Sequence, residues 1–267
     1  MNLELSRAAI VHLEILDHAT STNDELAARA AGLGDLAVLV TTDQRAGRGR
    51  LGREWVAPRG TSLATSILLR PTLPAGEPLG LDRFGWLPLI AGLAMARTVA
   101  SLIPAGDDRV SVKWPNDVLV EGRKIAGLLG ELLPTGDGVV MGAGLNLGMT
   151  REQLPIATAT SLVLEGAILE GDELVDEALS RYFAHLSALY REFLRVGADA
   201  DASGVRAALR DSCSTLGLEV RVHLPGGDEL LGTATDIDSQ GRLMVRRSSD
   251  GNSLAVAAGD VVHVRYE

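Results

Sequence analysis

The chain has 267 residues, enough for one large domain with or without a small companion, and its 46% hydrophobic content supplies a full core. Aromatics are only 3%, so that core rests on Leu, Val, Ile and Ala, while a net charge of −10 argues against general nucleic-acid binding, which draws on surplus Lys and Arg. The single cysteine, Cys213, has no internal disulfide partner and suits a reducing, cytoplasmic setting. Charges at Glu4, Arg7, Glu14 and Asp17 interrupt the N-terminal stretch, so no signal peptide is expected. No uninterrupted apolar run approaches the roughly 18 residues of a membrane span.

Residues 10–16 read as a short strand. A helix opens at Thr20-Ser21-Thr22-Asn23, where Thr22 and Glu25 have the spacing of a capping box, and it ends at Gly32 and Gly34. Residues 37–42 read as a buried strand. Residues 43–60 show neither period, and a long polar loop inside a compact domain is uncommon and often functional. A strand over 62–70 and a Pro/Gly-containing connection over 71–78 lead to a mostly apolar helix over 84–103, with Pro88 in its first turns. A strand over 110–114 stops at Pro115. A strand over 118–120, a tight turn at Glu121-Gly122-Arg123 and a strand over 124–133 form a hairpin. Another strand covers 138–147, and 162–210 turns helical in two or three segments. Beyond Cys213 the pattern becomes five short strands, 218–224, 230–236, 242–247, 254–257 and 261–266. The turns between them include Pro225-Gly226-Gly227, Ser239-Gln240-Gly241 and Asp250-Gly251-Asn252. That spacing predicts a small barrel. The expected domains are 1–212 and 213–267.

The segment from Gln44 to Arg53 holds Arg45, Arg48, Arg50 and Arg53 and no acid, in an otherwise acidic chain. Arginine forks suit phosphate and carboxylate oxygens, and Gly47, Gly49 and Gly52 let backbone N–H groups approach an anion. Trp55 is placed to cover a flat ring. A solvated, flexible basic loop has the same composition. Lys113-Trp114-Pro115-Asn116-Asp117 brings a lysine, an amide and a carboxylate together at a strand end. Asp117 suits Mg²⁺ alongside phosphate oxygens, and Pro-Asn-Asp equally suits a plain turn. Lys124 opens an apolar strand and needs a counter-charge if it points inward. Asn146 follows Gly142 and Gly144, where an amide can read a base edge or close a turn. The five histidines show no metal spacing. No phosphate loop of Walker type and no Gly-x-Ser-x-Gly elbow occurs.

Taken in order, Ser21-Thr22-Asn23, Gln44-x-x-Gly47-Arg48-Gly49-Arg50-x-Gly52-Arg53-x-Trp55, Lys113-Trp114-Pro115-Asn116-Asp117, Arg123-Lys124-x-Ala126-Gly127 and Gly142-x-Gly144-x-Asn146 closely resemble biotin protein ligases. The resemblance covers roughly residues 15–150. It implies an α+β class II synthetase-like fold, a mixed sheet with flanking helices plus an SH3-like C-terminal domain. It implies biotin and ATP as substrates, Mg²⁺ with the ATP, biotinyl-5′-AMP as intermediate, and a lysine of a biotin carboxyl carrier protein as acceptor.

By the same resemblance, Ser21, Thr22, Asn23 and Gln44 contact the biotin head group. Arg48, Gly49 and Arg50 bind carboxylate and phosphates, and Arg53 reaches the pyrophosphate. Trp55 covers the adenine side. Lys124 bridges biotin carboxylate and α-phosphate, so Lys124, Arg48 and Arg50 are the expected catalytic set. Asn116 and Asp117 are nucleotide or Mg²⁺ contacts, and Asn146 an adenine contact. A disordered arginine loop that biotin folds would explain ordered binding. The rivals are a lipoate-protein ligase, which shares the catalytic fold, and a non-catalytic regulator that binds biotin or an adenylate. The family motif begins at Ser21, which leaves no room before it for a winged-helix domain. The expectation is therefore a short form, a monomer or weak homodimer without DNA or membrane partners. A mobility-shift assay on biotin-operon DNA should show no band that responds to biotinyl-AMP.

Overall fold

The computed structural model describes residues 1–224, 228–257 and 259–264. In chain order it runs through helix α1 (Glu4–Ala9), strand β1 (Leu13–Ile15), α2 (Thr22–Arg29) and β2 (Val38–Thr41). A short ribbon follows, β3 (Gly47–Arg48) and β4 (Glu54–Trp55), then β5 (Ser62–Leu69), α3 (Trp86–Leu102) and α4 (Gly106–Arg109). Strands β6 (Val110–Lys113), β7 (Asp117–Val120), β8 (Arg123–Leu132) and β9 (Val139–Asn146) complete the first sheet. Helices α5 (Gly171–Arg195) and α6 (Val205–Ser212) lead to β10 (Glu219–His223), β11 (Glu229–Ile237), β12 (Leu243–Arg247), β13 (Ser253–Val256) and β14 (Asp260–His263).

The seven-stranded sheet has the order β1-β2-β5-β9-β8-β7-β6. Only the β1–β2 pair is parallel, so the sheet is mixed as expected. Helices cover both faces, which is why β2 and β5 are buried throughout. On one face α3 and α5 enclose the larger core, built around Trp86, Tyr182, Tyr190 and Phe193. On the other face Leu26 of α2, and Ala30 just after it, lie on Leu39, Leu68 and Val140. The five C-terminal strands form one antiparallel sheet, β13-β12-β11-β10-β14. The expected turn at 225–227, and the end of the last expected strand at 265–266, lie outside the described residues.

Several local expectations shift. Ser21, not Thr22, caps α2, accepting from the Asp24 backbone N–H, and Glu25 pairs with Arg29 one turn on instead. The start of the expected helical region, 162–170, is not helical. Helices α1 and α4 were not anticipated, because neither is long enough to show a period. The Glu121–Gly122 turn has φ of 48° and 79°, the left-handed pair of a two-residue hairpin turn. Helix α3 is, with the turn before it, long and apolar enough by composition to cross a membrane, yet most of that stretch is buried within the fold.

Helix α1 is pinned by a buried acid. Asp176 on α5 accepts from the backbone N–H groups of Leu5 (2.9 Å) and Ser6 (2.8 Å) and from Ser6 Oγ (2.7 Å). Removing it orphans these donors at about 1–3 kcal/mol each. Asp176→Ala should therefore lower the thermal midpoint by several degrees, measured by circular dichroism melting.

Candidate functional site

One cavity of about 370 Å³ opens on the sheet face that carries α2. Most residues singled out from the sequence line it: Ser21, Thr22, Asn23, Gln44, Arg48, Gly49, Arg50, Arg53, Trp55, Asn116, Asp117, Lys124 and Asn146, whereas Arg45 and Lys113 are not among its lining residues. The chain brings them from the start of α2, the β3–β4 ribbon, the β6–β7 corner, β8 and the end of β9.

The polar end of the cavity is built around the first turn of α2. Gln44 Oε1 accepts from Thr22 N (2.8 Å) and Thr22 Oγ1 (3.1 Å). Ser66 Oγ lies 2.8 Å from Thr22 Oγ1 and donates to Asn23 Oδ1 at 2.6 Å. Asn23 Nδ2 donates to Glu131 Oε2 (2.6 Å) and Leu129 O (3.2 Å). These bonds orient the Asn23 amide. Gly142 makes room for it, since a Cβ there would strike Asn23 Oδ1.

The arginine segment is not an unstructured loop. Residues Gly47–Arg48 pair with Glu54–Trp55, and a tight turn through Arg50–Gly52 joins them, with Leu51 at φ 57°. Side chains tie this ribbon to three parts of the molecule. Arg48 bridges Asp24 (2.5 and 2.7 Å) and Glu131 (2.9 and 3.1 Å). Arg50 donates to Asn116 Oδ1 (3.1 Å) and Gly259 O (2.9 Å), and Arg53 to Asp260 Oδ1 (2.9 Å). Hydrogen bonds from Arg48 hold the Asp24 carboxyl below its ordinary range, and those from Asp24 raise the Arg48 guanidinium. A depressed carboxyl contributes above its unfolded value and is lost as pH falls through the folded one. The Asp24–Arg48 tie is therefore complete at neutral pH. Burial pushes Arg50 and Lys113 down from their usual values.

Lys124 reaches the cavity through a break in strand alternation. On β8, Ala126 and Leu128 face the α3 core, and Lys124 would join them by the period of two. The β7–β8 register slips between Val118 and Leu119, opposite Ala126 and Lys124, so Ile125 is an extra residue. That bulge puts Ile125 in the core and turns Lys124 over Gly127, on the cavity side. Its Nζ lies 2.7 Å from Asp117 Oδ1 and 5.8 Å from the Trp55 ring centre. The indole itself lies against glycines of β8 and β9. A Cβ on Gly144 would come 2.5 Å from Trp55 Cε2, and one on Gly127 would come 3.3 Å from Cζ3.

Sequence reasoning missed Asp24, Glu131, Asp260 and the segment 155–160. Glu131 shares the cavity face with Gly127 by simple alternation, a signal present in the sequence. Asp260 arrives from the other sheet and carries no such signal. No cluster of three or more His, Cys, Asp or Glu capable of holding a metal occurs among the described residues. Asp117 offers a carboxylate at the cavity, a donor that suits Mg²⁺ alongside phosphate oxygens.

Residues 15–146 match the biotin/lipoate A/B protein ligase family, and residues 215–264 match the biotin protein ligase C-terminal domain. The biotin--[acetyl-CoA-carboxylase] ligase of Mycobacterium tuberculosis is 36% identical over 95% of this chain and 89% of its own length. This chain belongs to the biotin protein ligase family. The bifunctional ligase/repressor BirA of Salmonella typhimurium is 30% identical over 91% of the chain, and the match covers 71% of that protein. Among solved structures, the Aquifex aeolicus biotin protein ligase in complex with biotin and ATP shares the fold, with TM-score 0.70 at 24% identity over 95% of this chain and 99% of that one. The Leishmania major biotin protein ligase, solved with biotin, has TM-score 0.62 at 28% identity over 92% of this chain and 98% of that one.

The fit of Trp55 to its glycines is directly measurable. Gly144→Ala should displace the indole, shifting emission to the red and raising acrylamide quenching. Trp86 and Trp114 are buried and bonded to backbone carbonyls, so they supply a constant background. Unchanged emission would contradict the described packing.

Proposed function

We propose that this chain is a biotin protein ligase that joins biotin to ATP and passes the biotinyl group to a lysine of a biotin carboxyl carrier protein. A biotin carboxylate oxygen attacks the α-phosphorus of ATP, and the bond to pyrophosphate breaks, giving biotinyl-5′-AMP. The acceptor ε-amine then attacks the biotinyl carbonyl, loses a proton, and AMP leaves. The observation that carries this reading is the sharing of one cavity by a neutral polar end and a cationic end. Lys124, Arg50 and Arg53 supply the second, the Thr22–Asn23–Gln44 cluster forms the first, and Arg48 lies beside that cluster, sharing Glu131 with Asn23.

Each role follows from the chemistry of the groups. The hydroxyls and amides of Ser21, Thr22, Asn23 and Gln44 suit an uncharged ureido ring, which takes donors and acceptors and not charge. Arg50 hydrogen-bonds two neutral oxygens, so it can receive an anion without breaking an ion pair. With Arg48, Lys124 and the Gly49 backbone it suits the biotin carboxylate and α-phosphate, the two anions that must meet. Arg53 suits the departing pyrophosphate. Trp55 and Asn146 suit the adenine, as a flat face and a polar edge, and Asn116 suits the nucleotide. Mg²⁺ bound with ATP would neutralise phosphate charge, and Asp117 is the residue to hold it. No general base is needed to ionise the biotin carboxylate near neutral pH.

The division into a ligase domain, 1–212, and an SH3-like domain, 213–267, belongs to the same reading, as do a cytoplasmic location, a monomer or weak homodimer, and the absence of DNA and membrane partners. The test is purified protein with ATP, Mg²⁺, biotin and a carrier domain, read by streptavidin blot. Lys124→Ala should abolish labelling while leaving the circular dichroism spectrum unchanged; full labelling by this variant would remove Lys124 from its role. Lipoate in place of biotin should release no pyrophosphate, and lipoate-dependent release would favour a lipoate-protein ligase.

A further inference from the structure

Outside the cavity lies a buried carboxylate with an unusual set of partners. Glu165, whose side chain is only 2% exposed, accepts from Arg109 Nη2 (2.5 Å), Arg123 Nη2 (2.9 and 3.1 Å) and Thr160 Oγ1 (2.5 Å). Its backbone is tied down as well, through Glu165 N to Ser161 O at 3.0 Å. A buried carboxylate needs charged and hydrogen-bonding partners, and this one has both. None of them faces the cavity in a role already assigned.

The other contacts of Thr160 lead to the cavity. At the bulge, β8 has left its β9 partner, whose pairing begins only at Ala126. The backbone of Lys124 therefore needs another neighbour, and residues 158–160 supply it. Lys124 N donates to Thr158 O (2.8 Å), and Thr160 N donates to Lys124 O (2.8 Å). Thr160 O in turn accepts from Asn146 Nδ2 at 2.8 Å. Arg123, the residue before Lys124, grips the same Glu165 carboxylate. One buried acid thus holds the strand residue before the lysine and the threonine that closes the lysine's backbone, and that threonine also fixes Asn146.

We infer that Glu165 is a positioning residue, acting through Thr160 to aim Lys124 and Asn146 at the reacting phosphate and the base. The inference rests on the ligase reading and deepens it. Lys124 must reach the point where the biotin carboxylate and the α-phosphate meet, so an error of about 1 Å at its Nζ is costly, on the order of 100-fold in rate at the extreme. Without the hydroxyl link from Thr160 to Glu165, segment 158–160 keeps its backbone bonds to Lys124 but loses its anchor.

The test uses the full-length enzyme and two near-isosteric changes. Thr160→Val removes only the hydroxyl and leaves Glu165 between its two arginines, so the fold stays intact. Thr160→Ser keeps the hydroxyl. Biotin-dependent pyrophosphate release is measured for kcat and for KM of ATP, alongside the melting midpoint and the Kd for biotin. The expected result for Thr160→Val is about a tenfold fall in kcat and a severalfold rise in KM for ATP. Melting should stay near wild type, any loss of biotin affinity should be smaller than the fall in kcat, and Thr160→Ser should restore both. Glu165→Gln, which can still accept from Thr160, should fall between the two; both arginines also touch Glu121, so they retain a partner. Wild-type kcat and KM in Thr160→Val, or a loss that Thr160→Ser fails to restore, would overturn the inference. A wild-type protein without biotin-dependent pyrophosphate release would overturn the ligase reading itself, and this inference with it.

Discussion

A strand in a two-sided sheet shows alternate residues to opposite faces, and a lysine on the wrong face is buried without a counter-charge. Strand β8 meets this constraint by inserting Ile125 as an extra residue. The insertion lets Ile125 and Ala126 both reach the core under α3, while Lys124 and Gly127 both reach the cavity. Much of the rest depends on that break. Gly144 leaves room for the Trp55 indole, which a Cβ there would strike, and Gly127 lies close under both Lys124 and that indole. Asp117 stands opposite Gly127 in β7, close enough to pair with Lys124. The lost ladder bonds at Lys124 are taken up by residues 158–160, as buried backbone groups require.

The second theme is the management of charge. An acidic chain gathers Arg48, Arg50, Arg53, Lys113 and Lys124 near one cavity and threads carboxylates among them. Asp24 and Glu131 meet Arg48, Asp117 meets Lys124, and Asp260 meets Arg53. These pairs hold long, flexible side chains in a few orientations, so less entropy remains to be lost when an anion is bound. They also join separate parts of the molecule. Arg48 connects the ribbon to α2 and β8, and Arg50 and Arg53 connect it to the C-terminal sheet. The small sheet therefore supports the site, lending a backbone carbonyl and a carboxylate to the arginine ribbon.

Much of this was legible in the sequence. Period-two and apolar patterns located most strands of the first sheet, and regular short strands with turns between them marked the C-terminal sheet. Most of the residues chosen for their chemistry, from Ser21 to Asn146, line one cavity. Glycine and arginine types carried that information, because an anion site demands forked donors and close backbone approach wherever it lies in the chain.

What the sequence alone determined was the cast: most of the longer strands and helices, and which side chains have uncharged polar, cationic or flat aromatic chemistry. Those properties are local, set by alternation, turn chemistry and residue type. The tertiary structure decided their aim. The β8 bulge, the β3–β4 ribbon, the cap at Ser21, the reach of Asp260 and the clamp of residues 158–160 on Lys124 were not readable in advance. Each rests on hydrogen bonds or packing whose energy depends on the whole fold, and several join residues far apart in the chain. Residues 43–60 show the difference: aperiodic as a string, they take their shape from partners at 24, 116, 131, 259 and 260.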